Sequence, residues 1–114
     1  MLEILYEFRR GILFIRLDGN ITRETSIKYK DEIISMIKKN GIKNVVLNLD
    51  KVKYIDLKGI NLLFYTYECL KDNNGILMLS NINSYIEDRL SKSHVTKYIK
   101  VIDNELDAFL KIII

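Results

Sequence analysis

Asp50 and Asp56 follow the apolar run Val45-Val46-Leu47-Asn48-Leu49 and are the side chains best placed for chemistry. A carboxylate carried past the end of a strand can accept a phosphoryl group, but that reaction uses a divalent cation held by several oxygen ligands. The stretch after the first apolar runs offers only Asp18, beside Gly19, and Ile102 is followed by Asp103 where a lysine would be needed. Cys69 is the sole cysteine and His94 the sole histidine, in separate predicted elements, so neither a thiolate–imidazole pair nor a zinc set is assembled. Gly59 and Gly75 stand alone, without the spacing of a phosphate cradle. Tyr65 and Tyr67, two of seven tyrosines, fall at helical spacing and read as packing residues. These residue types predict a binding module that is not an enzyme, with no cofactor and no metal.

The elements that position these residues follow from periodicity. Leu2 to Phe8 and Gly11 to Leu17 alternate as two strands joined by a hairpin turn at Arg9-Arg10-Gly11, and Asp18-Gly19-Asn20 reads as a tight turn. Thr22 is placed to cap a helix to about Lys39, with Ile27, Ile33, Ile34 and Ile37 as its apolar stripe and Asn40-Gly41 as its end. Val45 to Leu49 is apolar enough for a strand covered on both faces. Asp56 caps a second helix to about Asp72, buried through Ile60, Leu63, Phe64, Tyr67 and Leu70. Ile76 to Leu79 is a strand, Ile82 to Lys92 a helix, and Tyr98 to Ile102 a short strand. Asp103 or Asn104 caps a last helix with Leu106, Phe109, Leu110 and Ile113 as its apolar face. The order β-β-α-β-α-β-α-β-α predicts one α/β domain over residues 1–114, its sheet mostly parallel with an antiparallel edge.

Bulk properties narrow the classes further. A chain of 114 residues buries one core, and a net charge of +3 spread along alternating acidic and basic positions describes a solvated surface. Five scattered arginines do not make a nucleic-acid footprint. A lone cysteine suits a reducing compartment, and no run approaches a membrane span or an export signal. The expected location is the cytoplasm, without membrane insertion.

The strand Val45 to Leu49 followed by Asp56-Leu57-Lys58-Gly59-Ile60 resembles the signature of STAS domains, especially anti-sigma factor antagonists. In that family a strand ending in Leu-Asp/Glu precedes Asp-Ser-Ser-Gly-Leu-Gly at a helix start. Leu17-Asp18-Gly19-Asn20-Ile21-Thr22 is similar to the family segment between its second strand and first long helix, and the order of elements agrees over nearly the whole chain. The resemblance implies a STAS-like fold and partner switching. An unphosphorylated antagonist binds an anti-sigma factor that is itself a serine kinase, and phosphorylation at the helix start breaks the contact. The implied partner-binding residues are Asp18, Gly19, Asn20 and Thr22 together with Asp56, Leu57, Lys58, Gly59 and Ile60.

The chain departs from that pattern where the switch should sit. The two serines of the family motif align with Leu57 and Lys58; the resemblance implies that Lys58 takes the position of the phospho-accepting one, and a lysine cannot take a phosphate from a serine kinase. Thr22, Thr25 and Ser26 are the nearest substitutes for a modified hydroxyl. A lysine in the first helical turn opposes the helix dipole at a cost of about 0.3–1 kcal/mol. It is accounted for either by drift at a solvated position or by an acidic patch on a partner. The alternative is a STAS subunit of a transporter or a multi-protein sensory assembly, in which phosphorylation plays no part.

Overall fold

The computed structural model describes residues 1–112. Strands β1 (Leu2–Arg9) and β2 (Ile12–Gly19) form an antiparallel hairpin whose turn is Arg10-Gly11. Both turn residues have positive φ, 51° and 82°, which suits the right-handed twist of the flanking strands and is cheapest at glycine. Next come helix α1 (residues 23–40), strand β3 (Asn44–Lys51), helix α2 (Leu57–Lys71), strand β4 (Ile76–Ser80), helix α3 (Ser84–Lys92), strand β5 (Lys100–Ile102) and helix α4 (Asp107–Lys111). The element order matches the sequence expectation.

The strands lie in sequential order β1-β2-β3-β4-β5, with β1 antiparallel to β2 and all later pairs parallel. Successive crossovers that advance in one direction with one hand place their helices on one side of the sheet. Tyr29, Ile33, Ile34 and Ile37 of α1, Leu63 and Leu70 of α2, and Ile86 and Leu90 of α3 accordingly share one core with Leu13, Ile15, Leu17, Val45, Leu47 and Leu79. The opposite face buries only Ile12, Phe14, Val46, Met78 and Ile102, under Ala108, Phe109 and Ile112 at the C-terminal end of the chain. Both faces of the central strands are therefore dry, and Val45 to Leu47 are fully buried as expected for two-sided cover.

Some local expectations are corrected. Asp18 and Gly19 still pair with β1, so β2 runs through most of the predicted turn and is longer than its apolar alternation suggested. Ile27 is 72% exposed; Tyr29 takes the inward position and its hydroxyl meets that of Thr66 at 2.6 Å. A π-helical turn at Lys30–Ile34 shifts the helical phase between Ile27 and Ile37, so a simple 3.6-residue stripe does not hold across it. Helix α3 starts at Ser84, where Asn83 caps it by accepting from the Ile86 amide at 2.8 Å. A 3-10 turn at Val95–Lys97 precedes β5, leaving Tyr98 outside the strand. In α4, Leu106 and Leu110 are exposed whereas Ala108 and Ile112 face the sheet, so the helix is rotated from its predicted apolar face. Ile113 lies outside the described residues.

The chain leading into α4 is tied to the sheet. Glu105 accepts two hydrogen bonds from the Arg16 guanidinium, at 2.9 and 2.8 Å, and a third from Asn48 Nδ2 at 2.8 Å. Arg16 also reaches Glu7 at 2.8 Å. The fork-shaped pair fixes the chain just before α4, while Phe109 of the predicted face stays packed against the sheet. Hydrogen bonds from Arg16, and with them Asn48, hold the Glu105 carboxyl below its usual range although burial opposes this.

Candidate functional site

Ile21 and Ile55 form a parallel β-bridge at the end of the sheet where α1 and α2 begin. The Ile21 amide donates to the Tyr54 carbonyl at 3.2 Å and the Asp56 amide to the Ile21 carbonyl at 3.4 Å. Residues 18–22 and 56–60 therefore lie side by side, as their order in the sequence required of a shared face.

Asp56 joins the two helices. One carboxylate oxygen accepts from the Gly59 amide at 2.8 Å and caps α2; the other accepts from the Arg23 amide at 3.0 Å, in the first turn of α1. A single side chain thus serves two helix N-termini, where amides lack partners and negative charge is favoured. Partial burial alone would raise the Asp56 pKa, but the amides of Gly59 and Arg23 outweigh it and hold the carboxyl below the ordinary aspartate range. With both oxygens engaged, Asp56 serves as an anchor. Asp50 sits separately at the exposed end of β3, its own amide donating to the Asn48 side chain at 2.9 Å.

The predicted site residues divide into two layers. Asp18, Asn20, Leu57 and Lys58 are exposed, and Gly19 is half-buried beside them. Thr22, Gly59 and Ile60 are buried and shape the face from beneath. A Cβ on Gly59 would collide with the Ile21 carbonyl oxygen and stand 2.7 Å from Ile55 Cγ1. The glycine is what lets the start of α2 press against the bridge. Thr25 accepts from the Thr22 amide at 3.0 Å and donates to the Asn20 carbonyl at 2.8 Å, while Ser26 donates to the Arg23 carbonyl at 2.8 Å. Thr22, Thr25 and Ser26 are all buried, which leaves none of these hydroxyls presented to a kinase.

Several surface neighbours were not legible from the sequence. Tyr54 stacks on Tyr85 of α3, with ring centroids 6.3 Å apart and planes 19° from parallel. The loop carrying Tyr54 is held by Asn83, which donates to the Val52 carbonyl at 3.3 Å, and by Arg89, which donates to the Ile55 carbonyl at 3.1 Å. Ile27 of α1 and Leu57 of α2 project into solvent, 72% and 70% exposed. Lys30 of α1 and Lys58 of α2 line one open depression between the helices. Only the apolar character of Tyr54 and Leu57 outside any predicted core hinted at this surface. Among the described residues no group of three or more His, Cys, Asp or Glu side chains is arranged to hold a metal ion. No helix among them is long and apolar enough to cross a membrane.

The sequentially ordered five-stranded sheet, with three helices packed on one face and the paired loops at one end, is the architecture of the STAS class. The family model described as the STAS domain matches residues 3–108, and the chain belongs to this family. An anti-sigma F factor antagonist of Paenibacillus polymyxa is 24% identical over 111 residues, spanning 97% of this chain and 95% of that one. An anti-sigma factor antagonist from Mycobacterium paratuberculosis superposes with a TM-score of 0.87 at 18% identity, over 97% of this chain and 93% of that one. A sulfate transporter family protein from Wolinella succinogenes superposes with a TM-score of 0.78, also at 18% identity, over 92% and 87% of the two chains.

Proposed function

We propose that this STAS domain acts as an anti-sigma factor antagonist, docking its helix-start face on an anti-sigma factor of the serine-kinase type without a phosphorylation switch at that face. The observation that carries the reading is the joint between the two loops. Asp56 and the Ile21–Ile55 bridge fix Asp18 to Asn20 and Leu57-Lys58 as one rigid rim, with Leu57 and the Tyr54–Tyr85 stack as apolar contacts. Tyrosine is among the side chains enriched at the anchoring points of protein interfaces. The antagonist from Paenibacillus polymyxa aligns over almost its whole length, which favours this reading over others open to the fold.

Lys58 separates this protein from a switchable antagonist. In a relative with serine at this position, phosphorylation places a dianion in the interface and disfavours docking by desolvation and repulsion. Lys58 offers no hydroxyl, and Thr22, Thr25 and Ser26 are sequestered. Release would then depend on concentration or on a competing partner. The test uses the anti-sigma factor kinases encoded in the same genome, with ATP and Mg²⁺ present. The wild type is expected to bind one of them and to remain bound and unlabelled. Lys58→Ser is expected to bind, gain phosphate at residue 58 and dissociate. Labelling of the wild type, or no binding by any such factor, would overturn the reading. In the latter case a phosphorylation-independent role in a transport or sensory assembly gains ground, since Lys58 is equally at home there.

A further inference from the structure

We propose that the groove between α1 and α2 receives an acidic amphipathic helix of a protein partner, one apolar side chain seating at Leu57 and Ile27 and carboxylates seating between Lys30 and Lys58. The inference rests on the reading of the helix-start face as a docking face, and it names the chemistry of what docks. The two helices leave the shared Asp56 cap in the same direction, and Lys38 of α1 meets Tyr65 of α2 further along. Near the cap, Lys30, Lys58, Asn61, Leu62 and Tyr65 line an open depression of about 270 Å³.

Its charge is one-sided. The lining holds two ammonium groups and no carboxylate, and among the described residues neither Lys30 nor Lys58 takes part in a salt bridge. Lysines elsewhere on the same surface are served: Lys28 lies 4.0 Å from Glu32, and Lys38 donates to the Tyr65 hydroxyl at 2.9 Å. Two ammonium groups lining one depression leave its positive charge uncompensated, and Lys58 further opposes the dipole of its helix. A carboxylate between them relieves both. Asn61 and the Tyr65 hydroxyl add neutral hydrogen-bonding groups along the same wall. Ile27, about one turn before Lys30, and Leu57, next to Lys58 in the chain, are the most exposed aliphatic side chains of α1 and α2, which calls for an apolar contact beside the acidic one. A helix laid along two parallel helices presents such groups at successive turns.

The experiment measures binding of labelled helical peptides by fluorescence anisotropy. One carries a leucine stripe flanked by glutamates, and its counterpart has lysine for every glutamate. The acidic peptide is expected to bind and the basic one not, with binding weakened as salt rises. Lys30→Glu and Lys58→Glu are each expected to weaken the acidic peptide about tenfold, through like-charge opposition. Lys92→Glu, on α3 and paired with Asp88, serves as the charge control and should change little. Circular dichroism confirms that the variants fold. Equal binding of both peptides, no binding of the acidic one, or indifference to both reversals overturns the proposal. Competition by inorganic phosphate alone at equal concentration would do so too, since it would mark a small-anion site. Should an anti-sigma factor bind wild type and both reversals alike, the groove is refuted while the docking function stands. Should no such factor bind but the peptide contrast hold, the groove stands and the partner class is refuted.

Discussion

At the residue scale, the arrangement turns on Asp56 and Gly59, each doing one task that few residues can do. Asp56→Ala removes acceptors from two helix starts at once, and it is expected to lower unfolding stability by about 1–3 kcal/mol in denaturant titration. Asp56→Asn keeps one acceptor and should cost less. Gly59→Ala forces a methyl against the Ile21 carbonyl, and a loss of about 1–3 kcal/mol is expected even though alanine favours helix elsewhere. An alanine that left stability unchanged would mean that α2 can shift away from the bridge without cost. The cap at Asp56 was readable in the sequence, because an aspartate before an amphipathic run has few other uses. Its second bond, to Arg23, was not, because nothing local ties residues 33 positions apart. Burial of Gly59, Ile60 and Thr22 was likewise hidden: a motif written as consecutive letters does not say which of them point outward.

At the element scale, the order and type of the helices and strands were legible from periodicity, but the phase of two helices was not. Ile27, predicted inward, is exposed, with Tyr29 buried just before the π-helical turn, and α4 follows directly on the Arg16–Glu105 fork with Leu106 and Leu110 outward. Both are tertiary effects on short amphipathic segments, in which two or three apolar residues leave several rotations nearly equal. Exposed Leu110→Ser is therefore expected to change stability by no more than about 0.5 kcal/mol. Ile60→Ala, at a fully packed position of α2, is expected to cost about 2–5 kcal/mol. Comparable losses for both would place Leu110 in the core, against the rotation described above. Chemical denaturation with a fluorescent or circular-dichroism readout distinguishes them.

At the scale of the whole molecule, sequential strand order leaves one sheet face to three helices and the other to a single short one tied down by Glu105. Two carboxylates, Asp56 and Glu105, hold distant parts of the fold together, and both have folded-state pKa values below their ordinary ones. A lowered carboxylate pKa contributes stability that is fully present above the unfolded value and is lost as pH falls through the folded one. Stability is thus expected to be flat from neutral pH to about pH 5 and to decline through the carboxylate range below it. The decline should be shallower in Asp56→Asn and in Glu105→Gln, each measured by thermal melts across pH. The parallel sheet and its antiparallel edge were legible from alternating βα units, while the uneven cover of the two faces required the strand order, which periodicity does not encode.

The central claim is that the face built around Asp56 docks a protein partner through Leu57 and Lys58 and does so regardless of kinase activity. Calorimetric titration of the anti-sigma factor kinase that binds this chain, into wild type and Lys58→Asp with ATP present, tests it most directly. The wild type is predicted to bind with an affinity that ATP does not change, and Lys58→Asp to bind more weakly by about tenfold or more. Equal affinities for the two proteins, or an affinity of the wild type that ATP abolishes, would contradict it.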